Sequence, residues 1–148
     1  MIRIKAVDAQ NILEVCALTT SHALGTAREA CSHCNAISIA QANYHSELHP
    51  NAIYNNNVLV GFFLYQRAEN QAETVTICRF MVDDQFRHQR LEEKAFEHIL
   101  RGLKIQGVKN VILNLDNANE NAKSLCLSFG FHLTGEMDKK QCRYELEL

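Results

Sequence analysis

Residues 73–107 read ETVTICRFMVDDQFRHQRLEEKAFEHILRGLKIQG, and they carry the strongest structural signal in the chain. Residues 73–82 are rich in β-branched and aromatic side chains, which predicts a long strand. From Leu91 onward, apolar residues recur at helical spacing as far as Gly107, a residue type that favours the end of a helix. A strand followed at once by a long helix is a building unit of α/β sheets.

The same pattern repeats once downstream. Residues 108–115 predict a buried strand, and residues 119–129 predict a helix closed by Gly130. Residues 131–134 and 142–148 then predict an antiparallel pair of strands.

Upstream of residue 73, the pattern of apolar and polar side chains mostly predicts β-strands. Residues 2–7 alternate apolar and polar side chains, and Asp8 precedes a short helical stripe. Residues 38–48 contain a predicted helix. Two strands, at 52–54 and 58–66, are joined by an Asn-rich turn, because Asn tolerates positive φ.

This order of elements predicts one domain over residues 1–148, built on a mixed, mostly antiparallel sheet with helices on both faces. A ligand in such a fold usually lies where strands separate and a helix begins, which here is residues 80–91.

Composition narrows the class of protein. The chain has 148 residues, 47% of them hydrophobic, enough for a core of its own. Its 15 basic side chains against 17 acidic ones argue against nucleic-acid binding. The longest apolar run, residues 58–65, is too short to cross a membrane. The six cysteines are typical of reduced thiols, so we expect a cytoplasmic protein.

Several short motifs resemble the GNAT superfamily of acetyl-CoA-dependent N-acetyltransferases over nearly the full length. They are Arg79-Phe80-Met81-Val82-Asp83, Asn119-x-x-Ala122-x-x-Leu125, and Phe129-Gly130-Phe131. Within that superfamily the chain looks most like the bacterial polyamine acetyltransferases, through Asn35-Ala36-x-Ser38-x-Ala40-x-Ala42 and Pro50-x-Ala52-Ile53-Tyr54.

The resemblance implies the GNAT fold and acetyl transfer to a primary amine of a small molecule. It places acetyl-CoA at the end of the strand that closes near Val82 and at the loop before the next helix. The implied cofactor-binding residues are Phe80, Met81, Val82, Arg87, His88, Gln89, Arg90, Leu91, Glu92, Asn119 and Lys123.

The phosphate-binding loop departs from the family pattern, Gln/Arg-x-x-Gly-x-Gly/Ala. The matching positions keep Arg87 but carry Arg90 and Glu92 where the family has small residues. Small residues let the backbone approach phosphates and adopt unusual φ, and a carboxylate at Glu92 would repel a pyrophosphate. The motif is therefore degenerate.

Two further departures concern the chemistry. Where many members carry a Tyr acid, this chain has Cys126, either a proton donor to the leaving thiolate or a small side chain that fills space. The acceptor pocket, predicted around Tyr44, Glu47 and Tyr54, carries fewer carboxylates than a polyamine site needs.

Three alternatives stay open. Cys31 and Cys34 with His45 and His49 have spacings that suit zinc, although unrelated side chains around a cleft explain them as well, and we assign no metal. The combined losses also fit a non-catalytic binding or regulatory module of the same fold. Residues 143–148, as an exposed final strand, would pair with a second copy of the chain in a homodimer.

Overall fold

The computed structural model describes residues 1–20, 24–25, 34–136 and 140–148. Its strands are β1 (Ile2–Ala6), β2 (Leu24–Gly25), β3 (Leu48–Asn55), β4 (Val58–Gln66), β5 (Thr74–Val82), β6 (Asn110–Asp116), β7 (His132–Glu136) and β8 (Gln141–Glu147). Its helices are α1 (Ile12–Ala17), α2 (Asn35–Tyr44), α3 (Leu91–Ile105) and α4 (Glu120–Ser128), with short 3-10 helices at Glu69–Gln71 and Asp84–Gln89.

The eight described strands join one sheet in the order β1-β3-β4-β5-β6-β8-β7, and β2 pairs with β5. Among these strands, only β5 and β6 run parallel, while the other pairs are antiparallel. Because α3 connects β5 to β6, this parallel pair is a strand–helix–strand crossover. The predicted mixed, mostly antiparallel sheet is confirmed.

Helices cover both faces of the sheet. Side chains on one face pack against α3 and α4, and this larger core includes Ile77, Phe80, Phe96 and Leu113. Side chains on the other face, among them Phe62 and Met81, pack with residues of α1 and α2. The alternation of Phe80 and Met81 follows directly from the two-residue period of a strand.

The β3–β4 hairpin forms as its Asn turn predicts. Asn56 and Asn57 have φ of 50° and 71°, so both central residues of the turn take the left-handed conformation. Positive φ at both positions matches the twist of the flanking strands, and Asn accepts it more readily than most residues.

Two sequence expectations are wrong in detail. The helix expected within residues 38–48 starts earlier, at Asn35, and ends at Tyr44, because the chain is already in β3 at Leu48. The last strand is not an exposed edge: β8 lies between β6 and β7, which leaves β1 and β7 at the edges of the sheet. Residues 143–145 thus have strand partners on both sides within one chain, whereas Leu146 and Glu147 pair with β6 alone.

None of the helices in the described ranges is long and apolar enough to cross a membrane.

Candidate active site

The site begins where β5 and β6 separate. Their parallel ladder joins Thr74 through Ile77 to Asn110 through Leu113 and then stops. Beyond it, the two-residue β2 pairs with Arg79 and Phe80. On its other side β5 stays paired with β4 as far as Gly61 and Val82. The described strands thus leave the end of β5, at Met81 and Val82, with a partner on the β4 side only.

A small cavity lies beside this strand end. It is lined by Phe80, Met81, Val82, Glu92, Asn121, Ala122 and Leu125, and its volume of about 20 Å³ holds about one water molecule. Glu92 lies in the first turn of α3, whereas Asn121 and Ala122 lie in the first turn of α4. Two helix N-termini therefore meet at the end of β5, and the positive ends of their dipoles favour an anion there.

The loop that leads into α3 is held by Asp83. Its Oδ1 accepts a hydrogen bond from the Gln85 amide at 3.0 Å, and its Oδ2 accepts one from the Thr19 amide at 3.0 Å. The Asp84 amide in turn donates to the Thr19 carbonyl at 3.0 Å, and the Thr20 hydroxyl donates to Asp84 at 3.1 Å. Both carboxylates thus fasten the loop to the segment after α1.

Arg90 keeps the backbone shape that a glycine would favour. Its φ of 57° and ψ of 26° are left-handed, a conformation that costs a side-chain-bearing residue about 1–2 kcal/mol. Its side chain is 81% exposed, and its Nε lies 4.0 Å from a Glu93 carboxylate oxygen. The bulk of Arg90 therefore points to solvent, while the half-buried Glu92 is the acidic residue that lines the cavity.

The other predicted cofactor residues lie near this loop in different ways. Leu91 is buried at the start of α3, and Gln89 is exposed at the end of the 3-10 helix. Arg87 and His88 belong to the same 3-10 helix by their backbone, and the roles predicted for their side chains lie outside what the structure describes.

Asn119 and Lys123 belong to the start of α4. The Asn119 Oδ1 accepts a hydrogen bond from the Ala122 amide at 3.1 Å, so this side chain caps the helix. The Lys123 ammonium lies 3.6 Å from a Glu120 carboxylate oxygen and retains 24% side-chain exposure. Neither residue lines the small cavity, and Asn119 acts on it through the position of α4.

Cys126 is fully buried, one turn after Ala122 on α4. Burial raises the pKa of its thiol to about 12. Proton transfer from such a thiol to a thiolate of ordinary pKa, near 8.5, is uphill by about three orders of magnitude. This pKa favours the space-filling interpretation of Cys126 over the proton donor.

The three predicted acceptor-site residues do not meet. Tyr44 is 85% exposed at the end of α2. The carboxylate of Glu47 accepts a hydrogen bond from Gln66 at 3.3 Å, just before β3 begins. Tyr54 lies near the far end of β3, where the Arg3 guanidinium carbon is 5.7 Å from its ring centre. Seven residues of strand correspond to about 23 Å, too far for Glu47 and Tyr54 to hold one small amine together.

A buried hydrogen-bonded pair, Arg79 and Asn35, lies on the face of the sheet that α2 covers and was not identified from the sequence. The Nε of Arg79, a residue only 2% exposed, donates to Asn35 Oδ1 at 2.9 Å, and Asn35 donates to the Val15 carbonyl at 2.9 Å. An arginine within the otherwise apolar strand that precedes the cavity was the available signal. The pair places a positive charge beside Met81, on the face of β5 that α1 and α2 cover.

The zinc hypothesis stays untested, because Cys31 lies outside the described residues. Cys34 directly precedes α2, and the His49 ring stacks on Tyr65 with 4.9 Å between ring centres. Over the described ranges, no group of three or more His, Cys, Asp or Glu side chains is arranged to hold a metal ion.

The chain matches a protein-family model over residues 17–131, that of the Acetyltransferase (GNAT) family. Its solved structural neighbours include an acetyltransferase from Thermus thermophilus (15% identity, TM-score 0.76, 100% of this chain and 97% of that one). The ribosomal-protein-S18-alanine N-acetyltransferase from Escherichia coli is similar, with 16% identity and a TM-score of 0.68 over 100% of this chain and 93% of that one. The PaiA N-acetyltransferase from Thermoplasma acidophilum, solved in complex with coenzyme A, is also similar. It has 12% identity and a TM-score of 0.69 over 100% of this chain and 99% of that one.

No protein of curated function matches the sequence. At these identities the structural neighbours establish the fold alone.

Proposed function

This chain belongs to the acetyltransferase (GNAT) family, and from that premise we propose that it transfers an acetyl group from acetyl-CoA to a primary amine of a small molecule. The amine nitrogen attacks the thioester carbonyl directly, and the bond from carbonyl carbon to sulfur breaks. The nitrogen gives up one proton as the amide forms, and the coenzyme A thiolate takes up one proton as it leaves. Acetyl-CoA supplies the activated acyl group, and every other part of the chemistry falls to the protein.

The observation that supports this proposal most is the strand end at Met81 and Val82 beside two helix N-termini. An amide-bearing arm would pair with the backbone of β5 as an added strand would. The first turns of α3 and α4 would then face the pyrophosphate with the positive ends of their dipoles. The edge of β5 that the described strands leave unpaired and the two helix N-termini are groups that suit the arm and the pyrophosphate of an acyl-CoA. The cavity of about 20 Å³ must widen to admit such a ligand.

Glu92 is the residue that opposes cofactor binding. It is the one titratable residue among the described residues that line the cavity, and it belongs to the first turn of α3, which phosphates would approach. Two like charges about 4 Å apart in water repel each other by about 1 kcal/mol. A penalty of this size weakens affinity a few-fold and is compatible with an active enzyme.

The acceptor we propose carries no more than one positive charge in the pocket. The acceptor pocket predicted from the sequence carries fewer carboxylates than a polyamine needs for its ammonium groups. Glu47, the remaining carboxylate of the predicted pocket, already accepts a hydrogen bond from Gln66. This supports a simple primary amine over a polyamine, despite the likeness in sequence to polyamine acetyltransferases.

Titration with acetyl-CoA, followed by thermal unfolding, tests the proposal. A ligand that binds only the native state raises the free energy of unfolding by about 2.7 kcal/mol at a hundredfold excess over its Kd. We expect a clear rise in Tm for the wild-type chain and a several-fold lower Kd for Glu92→Gln. Glu97→Gln is the matched control, since Glu97 is an exposed carboxylate on the same helix.

Turnover is measured next, as release of the free thiol in the presence of mono- and polyamines, with acetylated product identified by mass spectrometry. Absence of a Tm change with millimolar acetyl-CoA in both the wild type and Glu92→Gln would overturn the proposal and support the non-catalytic module. The comparisons do not favour that alternative.

A further inference from the structure

A second cavity, larger than the one at the candidate active site, lies away from it. It has a volume of about 460 Å³, within the range of small-molecule sites, and it separates the first strands of the sheet from the C-terminal half of α3. Its lining residues are Met1, Ile2, Arg3, Ile4, Asn51, Phe63, Tyr65, His98, Ile99, Gly102, Leu103 and Gln106. Ten residues of helix, or about 15 Å, separate Gly102 from Glu92 at the other cavity. We call it the α3 cavity.

The floor of the α3 cavity is apolar and aromatic. Phe63 is 3% exposed and stacks with Tyr65, with 5.2 Å between ring centres and 25° between planes. His49 extends the same stack on the far side of Tyr65. Further aliphatic cover comes from Ile99 and Leu103 on α3. A flat ring would add to such a stack with favourable geometry.

Polar groups at the rim are held in place and keep capacity for further hydrogen bonds. Asn51 donates its side-chain amide to the His49 carbonyl at 3.0 Å, which leaves its Oδ1 free to accept. Arg67 donates to both oxygens of Gln106, at 3.1 Å and 3.5 Å, which leaves the Gln106 amide nitrogen free to donate. The lining thus includes two amide side chains, Asn51 with acceptor capacity and Gln106 with donor capacity.

The charged groups of the lining are the Met1 ammonium, which donates to the Asn55 and Asn56 side chains, and the Arg3 guanidinium. The lining contains no Asp, Glu or Lys among the described residues. Arg3 alternates along β1 with Ile2 and Ile4, and its guanidinium lies over the Tyr54 ring, on the opposite face of the sheet from the cavity. A cationic ligand would therefore gain no opposite charge, and an anionic ligand would meet two cations that already have partners in Asn55, Asn56 and Tyr54.

Gly102 keeps the cavity open. A glycine inside a helix costs roughly 0.5–1 kcal/mol relative to alanine, and a Cβ at this position would meet no atom within 4 Å. Packing therefore does not require the glycine. Its one structural effect is the empty volume beside it.

We propose that the α3 cavity is a second binding site, distinct from the acetyl-transfer site, for a small uncharged molecule that combines a flat ring with an amide-like edge. The ring stacks beside Phe63 and Tyr65, and the edge bonds to Asn51 and Gln106. This assignment does not depend on the acetyltransferase activity.

The test is titration with benzamide, observed by NMR through the side-chain methyl groups. We expect saturable shifts of Ile2, Ile4, Ile99 and Leu103 at concentrations up to about 10 mM. Benzene, which has the ring without the amide, should bind at least tenfold more weakly. Leu125 marks the acetyl-transfer site and should not shift.

Two variants decide whether this cavity holds the ligand. Gly102→Leu fills it from the helix and should abolish the shifts, whereas Lys104→Leu adds the same side chain to the exposed face of α3 and should retain them. Gln106→Ala, at an exposed rim position, should weaken benzamide about tenfold without changing benzene, so the result does not depend on the folding of Gly102→Leu. Absent shifts, shifts centred on Leu125, equal affinity for benzene, or full binding by Gly102→Leu would each overturn the proposal.

Discussion

The thiols of two residues, Cys126 and Cys78, make the free energy of unfolding depend on pH. Burial raises the pKa of Cys126 to about 12 and that of Cys78 to about 11, from an ordinary value of 9.0. The folded chain therefore keeps these protons at a pH where the unfolded chain has lost them. Below pH 9 both states are protonated, and the thiols add no pH dependence there.

We accordingly predict that the free energy of unfolding falls as the pH rises from 9 towards 11. Each thiol contributes up to about 1.4 kcal/mol per pH unit in that window. Urea unfolding at a series of pH values, for the wild type and for Cys126→Ala, isolates one thiol as the difference between the two slopes. Parallel slopes in the two proteins would show that Cys126 ionises equally readily in both states.

The contact between Arg79 and Asn35 shows which features of single residues the sequence does not predict. Both residues belong to motifs that carry the family resemblance, yet no local pattern says that a guanidinium on β5 contacts an amide at the start of α2. Their contact spans 44 positions of sequence. Contacts of this kind depend on how elements pack, and a single sequence read locally contains no direct signal for them.

Among the elements, β4 and β5 approach most closely at Gly61. A Cβ there would overlap the carbonyl oxygen of Met81 and come within 3.3 Å of the Ile53 side chain. The close approach fixes the end of β5, which borders the candidate active site.

Gly61→Ala should therefore push the end of β5 away from β4 and so displace the opposite edge of β5, where the cofactor arm is proposed to pair. We expect a loss of about 1–3 kcal/mol in unfolding free energy, together with weaker acetyl-CoA binding. Chemical denaturation and calorimetric titration measure the two effects. Gly135→Ala is the control, because a Cβ at that position on β7 would meet nothing within 4 Å; equal losses in both variants would contradict the explanation.

The elements themselves were largely predictable, since their signals are local. The strand at β5, the amphipathic α3 and the Asn turn between β3 and β4 each follow from periodicity or backbone preference. The two-residue β2 has too few residues to show any period. The position of β8 inside the sheet depends on which strands pair, and alternation along one strand does not encode its neighbours.

For the whole molecule, one aromatic cluster joins the two halves of the sheet. Phe96 on α3 is fully buried, and its ring centre lies 5.2 Å from Phe80, 5.1 Å from Phe129 and 6.0 Å from Phe131. It therefore links β5 to the turn that follows α4.

Phe96→Ala should destabilise the entire domain rather than one region. A cavity of this kind costs about 3–5 kcal/mol, a large part of the roughly 5–15 kcal/mol that stabilises a typical domain. Circular dichroism and tyrosine fluorescence should follow the same lowered transition. Leu133→Ala, at a position 56% exposed, should change the free energy of unfolding by no more than about 0.5 kcal/mol. Separate transitions by the two probes would show that the halves unfold independently.

Arg90 bears on how such proteins are sorted into groups. The sequence resemblance implies a phosphate loop before α3, and a search for glycines in such a loop would not find this chain, because positions 90 and 92 carry Arg and Glu. The backbone at Arg90 nevertheless turns left-handed, as it would with glycine. A left-handed backbone conformation can therefore occur without the glycine that usually adopts it. A search that relies on residue type alone will miss chains that have the same backbone conformation with a different residue.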